Sequence, residues 1–278
     1  MRNFIMKRTL ISALVAGCVG LASFAAAAGT VVVNGSTTVL PAMQKITEDF
    51  MAKHKDIQVS LSGGGSGHGI KALIDKTTDV AMASRDIKPA EVENVKKNGG
   101  EAVRYTVAID AIVPIIHPKN TVKDLSLQQI RDIYAGRITN WKEVGGPDAR
   151  ITVVSRDSSS GTFETWEELV MKGERVQQRA LLQASNGAVL QTVAKNPNAI
   201  GYVGLGYITK DIKDVTIGGM KASAESALSR KWPLARDLYL FTNGQPSGDT
   251  KTLIDFALSP EGQVSVKEVG FVPLPAKK

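Results

Sequence analysis

The sequence predicts an α/β protein built on largely parallel sheets, and three observations lead there. Short apolar runs alternate with helix-like segments from Thr30 onward, the pattern of repeated β-α units. Four strand-to-helix junctions are made of small polar residues: Gly35–Thr38, Gly63–Gly67, Ser84–Asp86 and Arg156–Thr162. The 278-residue length, less a leader segment, suits two domains or one large α/β unit.

Arg2, Lys7 and Arg8 precede an apolar stretch from Leu10 to Ala28 that closes on Ala26-Ala27-Ala28. A basic start, a short apolar middle and a small-residue end are the parts of a secretory signal, so residues 1–28 are expected to be removed. Cys18 is the only cysteine, and Val15-Ala16-Gly17-Cys18 has the form of a lipobox. The stretch after it, Val19–Ala28, is apolar where a lipid-anchored protein has a polar tether, so simple removal is favoured over lipid anchoring. The mature chain is then exported, to the periplasm, without disulfides. A chain of this size buries enough apolar surface to fold without them.

Each element follows from its own pattern. Thr30–Asn34 is a strand, and Pro41–Phe50 a helix with Met43, Ile46 and Phe50 on one face. Ile57–Leu61 is a strand, and the glycine-rich Ser62–Gly67 leads into a helix from about His68 to Asp75. Asp79–Ser84 is a strand, with a helix starting at Pro89. Val107–Ile116 is one apolar run broken only by Asp110. A carboxylate in such a run is paired, hydrogen-bonded or protonated: it either caps a local turn or accepts a hydrogen bond from a protonated ligand.

Ile151–Ser155 is a further strand, followed by Arg156-Asp157-Ser158-Ser159-Ser160-Gly161-Thr162 and a helix-like segment from Phe163. A helix N-terminus presents unpaired N–H groups and partial positive charge. Hydroxyls and a glycine at that turn add donors and allow close approach. Arg156 adds a planar cation that can fork onto two oxygens. One such junction is ordinary capping. Four of them, carrying hydroxyls and two arginines, suggest convergence on one oxyanion.

The formal net charge is +7, and removing the three cations Arg2, Lys7 and Arg8 leaves +4. Dispersed Lys and Arg with few aromatics exclude a nucleic-acid partner, and a small positive excess favours small anions. Enzyme classes are weakly supported. Gly64-Gly65-Ser66-Gly67-His68 has His68 where a nucleophile elbow needs glycine. The three histidines, His54, His68 and His117, are scattered, with no metal-ligand spacing. No G-x-x-x-x-G-K-[ST] pattern is present, so any energy coupling belongs to other subunits.

Taken together, the run Leu125–Trp141, the junction Arg156–Thr162, Ala199–Gly204, Gly35–Val39 and Gly64–Gly67 resemble the periplasmic phosphate-binding proteins of phosphate ABC transporters. The resemblance covers about Thr30 to Pro275. It implies a two-lobed periplasmic-binding-protein (Venus-flytrap) fold, each lobe a mixed, mainly parallel sheet flanked by helices, closing as a monomer over inorganic phosphate. Its implied partners are the membrane permease and ATPase subunits of an ABC importer, with no cofactor, metal or catalysis. Lobe one is expected over residues 29–109 and again over 211–278, with lobe two over 110–210.

Carried over by position, the resemblance implies phosphate donors from Thr37, Thr38, Ser66 and Ser84 on one side. Arg156, Ser160, Gly161 and Thr162 face them from the other. The chain departs from one branch of the family by having Arg85, not aspartate, directly after Ser84. Two arginines, Arg85 and Arg156, are therefore expected on the ligand, with Asp110 accepting the phosphate proton and Asp86 and Asp157 as alternatives. Such a carboxylate would repel a fully ionised anion such as sulfate. Sulfate or molybdate binding, or phosphate sensing without transport, is the alternative reading.

Overall fold

The chain begins as successive β-α units. In the computed structural model, which describes residues 29–275, these are β1 (Thr30–Gly35), α1 (Leu40–Lys53), β2 (Gln58–Gly63), α2 (Ser66–Ile74), β3 (Val80–Ala83) and α3 (Pro89–Lys97). The expected signal segment and Cys18 lie outside the described residues. β1 is the middle strand of a parallel trio, with Val33 opposite both Leu61 and Val80. On α1, Ala42, Met43, Ile46, Thr47 and Phe50 are buried, the stripe its 3.6-residue period predicts. They pack against Val31, Val33 and Met82 of the sheet.

The 15-residue strand β4 (Ala102–Ile116) then belongs to both halves of the molecule. Its first part, Ala102–Ala111, pairs antiparallel with β11 (Ala235–Asn243), which itself pairs with β3. Its last five residues, Ile112–Ile116, pair with β8 (Ala199–Gly204). From Val107 to Ile116 every residue is buried, as a strand covered on both faces should be.

Beyond β4 come β5 (Asp124–Leu125), α4 (Leu127–Ala135), β6 (Thr152–Arg156), α5 (Gly161–Trp166) with a following π-helical turn over Glu167–Met171, β7 (Leu181–Gln183) and α6 (Asn186–Lys195). β8 and β7 flank β6 in parallel. This half has its own core, including Ile115, Ile130, Trp141, Trp166, Tyr202 and Val203. The strand order is β2-β1-β3-β11-β4-β8-β6-β7. The outer strands of each half pair in parallel, and the pairings of β4 and β11 are antiparallel. The α/β class is the one the sequence predicts, and the two-lobed mixed architecture the one the resemblance implies.

The expected return to lobe one at residue 211 is corrected. β9 (Lys213–Asp214) pairs with Ile115 and Ile116, and β10 (Thr216–Ile217) pairs with β5. Ile212, Val215, Ile217, Ala227 and Trp232 belong to the second core, and the Trp232 indole donates to the Ile112 carbonyl at 3.0 Å. The chain re-enters lobe one only at β11. α8 (Gly248–Leu258) and α9 (Pro260–Glu268) then complete that lobe. Residues 211–234 form only two-residue strands and a short helix, α7 (Ala224–Leu228), too little periodicity to assign a lobe.

Close helix–strand approach positions the first junctions. A Cβ on Gly69 of α2 would fall 2.7 Å from the Asn34 carbonyl oxygen and 2.7 Å from the Gly35 Cα. α2 therefore rests directly on the end of β1, with Ser66 at its first turn. Gly69→Ala is expected to overpack this contact and cost about 1–3 kcal/mol, read as a lower urea midpoint with an unchanged m-value.

Candidate anion site between the lobes

The polar junctions come together where the two lobes meet. From lobe one, β1 delivers Thr37 and Thr38, 6 % and 1 % exposed, and β3 delivers Ser84. Ser66 Oγ accepts from the Ser84 amide at 3.0 Å and lies 3.2 Å from Ser84 Oγ. From lobe two, Ser160 caps α5, its Oγ accepting from the Phe163 amide at 3.2 Å. Gly161 then passes so close to lobe one that a Cβ there would lie 2.4 Å from Ser66 Oγ and 2.9 Å from Ser84 Oγ. Only glycine permits this approach.

Arg156, at the end of β6, is 1 % exposed. Its Nε donates to the Gln183 carbonyl at 2.9 Å, and its Nη2 donates to the Ala184 carbonyl at 3.0 Å and Thr37 Oγ1 at 3.3 Å. Its Nη1 is buried without a hydrogen-bond partner among the described residues. A buried donor left open is costly. Burial pulls this guanidinium below its ordinary value, opposed chiefly by Asp157; it remains charged, because that ordinary value is so high. Beneath it, Trp166 stacks on Tyr202 with centroids 4.1 Å apart, and the Tyr202 hydroxyl accepts from the Arg156 amide at 3.3 Å.

Two residues absent from the sequence-based set complete the cluster. Asn186, at the start of α6, is fully buried. Its Nδ2 donates to Thr37 Oγ1 at 3.2 Å and Thr38 Oγ1 at 2.9 Å, while its Oδ1 accepts from the Gly204 amide at 3.1 Å. Arg236, on β11, donates from Nη2 to Thr162 Oγ1 at 3.0 Å and from Nη1 to the Ser84 carbonyl at 3.1 Å. Thr162 Oγ1 in turn lies 2.8 Å from Thr38 Oγ1 across the lobes.

This inventory orients the hydroxyls. Thr37 Oγ1 accepts from Arg156 and Asn186, so its own proton is left to donate. Thr38 and Thr162 each accept one N–H and share one hydrogen bond, which leaves one further hydroxyl proton between them. The cluster presents donors, as an oxyanion requires.

Two expected ligand contacts are corrected. Arg85 does not aim at this cluster. Its Nη1 and Nη2 donate to Glu91 Oε2 and Oε1, both at 2.8 Å, and its Nε lies 2.9 Å from Glu164 Oε2. Six residues of sequence separate Arg85 from its bidentate partner, close enough for a local pair to outcompete the site.

Asp110 also has a different partner. It is fully buried, with Oδ2 accepting from Arg236 Nε at 3.0 Å and Nη2 at 2.8 Å, and Oδ1 accepting from the Leu205 amide at 2.9 Å. Burial pushes this carboxyl above the usual carboxylate range, and Arg236 opposes that shift. Burial likewise lowers Arg236, and Asp110 opposes it. Of the alternatives, Asp86 pairs with Arg104 at the surface. Asp157 keeps Oδ2 at 4.0 Å from Arg156 Nη2, with its Oδ1 accepting from the Ser159 amide at 2.9 Å.

The signal for both missed residues was present. Ser185-Asn186-Gly187 is a fifth small polar junction after a strand, and Arg236, beside Asp237, breaks the apolar run Leu234–Leu240 as Asp110 breaks Val107–Ile116. Register shows what spacing does not: Arg236 lies directly opposite Asp110 in the β4–β11 ladder.

Two α/β lobes enclosing a buried arginine with an open donor and a set of hydroxyls define a two-lobed solute-binding protein. A family model described as a PBP superfamily domain matches residues 22–261. The chain is 31% identical over 253 residues to the phosphate-binding protein PstS of Borreliella burgdorferi, covering 86% of this chain and 88% of that one. A phosphate ABC-transporter substrate-binding structure from Clostridium perfringens, with bound phosphate, superposes with a TM-score of 0.83 at 35% identity, covering 89% of this chain and 100% of that one. An ABC-type phosphate transport receptor from Vibrio cholerae gives 0.71 at 29% identity, with coverages of 88% and 100%. The chain belongs to the PBP superfamily and, within it, to the family of phosphate-binding proteins named PstS.

Asp110→Ala would leave Arg236 as an uncompensated buried charge. The expected loss is about 3–5 kcal/mol of stability, measured by equilibrium urea unfolding.

Proposed function

We propose that this chain binds inorganic phosphate between its lobes outside the cytoplasm and delivers it to the permease and ATPase subunits of an ABC importer. The observation that carries this reading is Arg156, buried at the lobe junction with Nη1 open, beside the hydroxyls of Thr37, Thr38 and Thr162. Ser66, Ser84 and Gly161 close the other side of the same cluster, and Ser160 caps the helix that begins at Gly161. The names of the PstS relatives point to the same ligand.

Neither lobe alone offers enough donors to replace the hydration of a phosphate. An anion that touches both therefore favours the closed arrangement through its differential contacts. Within it, Arg156 supplies charge and a forked donor, the threonines supply directed hydroxyl protons, and Asp110 acts through Arg236 by holding that guanidinium against Thr162. The role is binding without turnover. His54 stacks on Phe50, His68 contacts the Gly64 carbonyl, and His117 accepts from the Lys119 amide, so each histidine is engaged locally. Among the described residues, no helix is long and apolar enough to cross a membrane.

One observation favours a wider class of anion. With Asp110 committed to Arg236 and Leu205, the donor-rich cluster also suits sulfate or molybdate. Calorimetric titration with phosphate, repeated against sulfate and molybdate, decides between the readings; equal competition by either would assign the wider class. Arg156→Ala is expected to weaken phosphate binding by about 2–5 kcal/mol, and wild-type affinity in that variant would remove Arg156 from the site.

A further inference from the structure

The charges around Arg85 form a cluster that crosses between the lobes without entering the anion site. Arg85, Lys88 and Glu91 belong to lobe one, on the loop after β3 and the first turns of α3. Glu164 belongs to lobe two, on α5, two residues beyond Thr162. Its carboxylate lies between the two cations, with Oε2 2.9 Å from Arg85 Nε and in contact with Lys88 Nζ. Arg85 and Glu164 are shielded, their side chains 9 % and 17 % exposed. The Arg85 Nε contact is ionic, since its N–H is not aligned as a hydrogen bond.

The pairing has a division of labour. The Arg85–Glu91 fork lies within lobe one, so it does not depend on where lobe two stands. It holds the Arg85 guanidinium in place. Glu164 alone comes from the opposite lobe. If the lobes separate, lobe one keeps two cations and one carboxylate while lobe two keeps one carboxylate; together the four charges cancel. Lobe one thus presents cations and lobe two carboxylates at this rim, where Glu167 and Glu168 also line the cleft, and bringing the lobes together pairs Glu164 with Arg85 and Lys88. The same helix that presents Gly161 and Thr162 to the anion cluster presents Glu164 one turn later, so docking of Glu164 and closure of the site are a single movement.

We propose that Glu164 is an ionic closure latch: a positioning residue that sets phosphate affinity by stabilising lobe closure, with no contact to phosphate. The proposal rests on the phosphate-binding reading above, and the experiment separates the two. A contact of this kind, partly screened by solvent, is expected to change affinity about 3- to 10-fold.

The test compares the full mature chain with Glu164→Gln and with the swapped pair Glu164→Lys/Lys88→Glu, using inorganic phosphate as the probe. Glu164→Gln should raise Kd about 3- to 10-fold, mainly through faster phosphate release followed by tryptophan fluorescence. The phosphate-to-sulfate preference should not change. Added salt should weaken wild-type binding more than that of Glu164→Gln, and the swapped pair should recover part of the loss. An unchanged Kd and release rate in Glu164→Gln, or equal salt dependence in the two proteins, overturns the latch. A wild-type chain that binds no phosphate overturns the functional reading instead. The latch is then judged on ligand-free protein by small-angle scattering, where Glu164→Gln must lower the compact fraction, and equal profiles overturn it.

Discussion

The buried pair Asp110–Arg236 ties together the places where the chain passes between lobes. Asp110 is one residue before the point at which β4 exchanges β11 for β8 as its partner. Its Oδ1 accepts from Leu205, the first residue beyond β8, and its Oδ2 accepts from Arg236, the second residue of β11. One carboxylate therefore holds the outgoing strand, the end of the second-lobe strand and the returning strand. A third contact runs beside it, where Ile109 and Val272 exchange backbone hydrogen bonds. Taking both charges out of water is expensive, and hydrophobic residues of similar volume could stabilise such a position as well. What an apolar pair could not do is reach onward, as Arg236 does, to Thr162 and the Ser84 carbonyl. The pair therefore connects the crossing strands to the anion site.

From that junction outward, the two lobes contribute unlike parts. Lobe one offers short turns after β1 and β3 and a helix start at Ser66, all held by tight strand–helix packing at Gly69. Lobe two offers a cation at the end of β6 and two helix starts, at Gly161 and Asn186. Further contacts seal the rim: the Gly67 amide donates to the Ser159 carbonyl at 2.9 Å, and Ser159 Oγ donates to the Gly64 carbonyl at 3.2 Å. These bonds are individually modest. Their common feature is that each spans the lobes, so they form or break together.

Much of this was legible in the residues, and the failures share one cause. Strand–helix alternation gave the layered α/β class, and small polar junctions marked the strand ends that meet at the site. Arg85 and Arg156 look equivalent in sequence, each standing beside serines after an apolar strand. Their difference lies in what else is near: Glu91 and Glu164 occupy Arg85, while carbonyls occupy only part of Arg156. Asp110 was recognisable as a buried carboxylate needing a partner, but the partner is 126 residues away. Antiparallel register, which spacing along one strand does not reveal, supplies it. Residues 211–234 were misplaced for a related reason: their short elements carry little period, and their lobe is decided by Trp232 and Ile212 packing into a core built mainly from earlier segments.

Three arginines at the lobe junction thus have three different states of satisfaction, and that difference assigns their roles. Arg236 has Nε, Nη1 and Nη2 all engaged and a carboxylate against it, so it is a fixed part of the scaffold. Arg85 is neutralised by two glutamates, one from each lobe, so its partnership reports the lobes' separation. Arg156 is less exposed than either, but its bound acceptors are mostly carbonyls and its nearest carboxylate oxygen is 4.0 Å away. Closing the lobes therefore buries a positive charge that the protein only partly compensates. On the proposed function, an anion at the open Nη1 edge would supply the missing compensation, and closure would then depend on the ligand's charge. The same logic excludes a neutral solute of similar size: it could meet the hydroxyl protons, but it would leave the Arg156 charge uncompensated and lobe closure unfavourable.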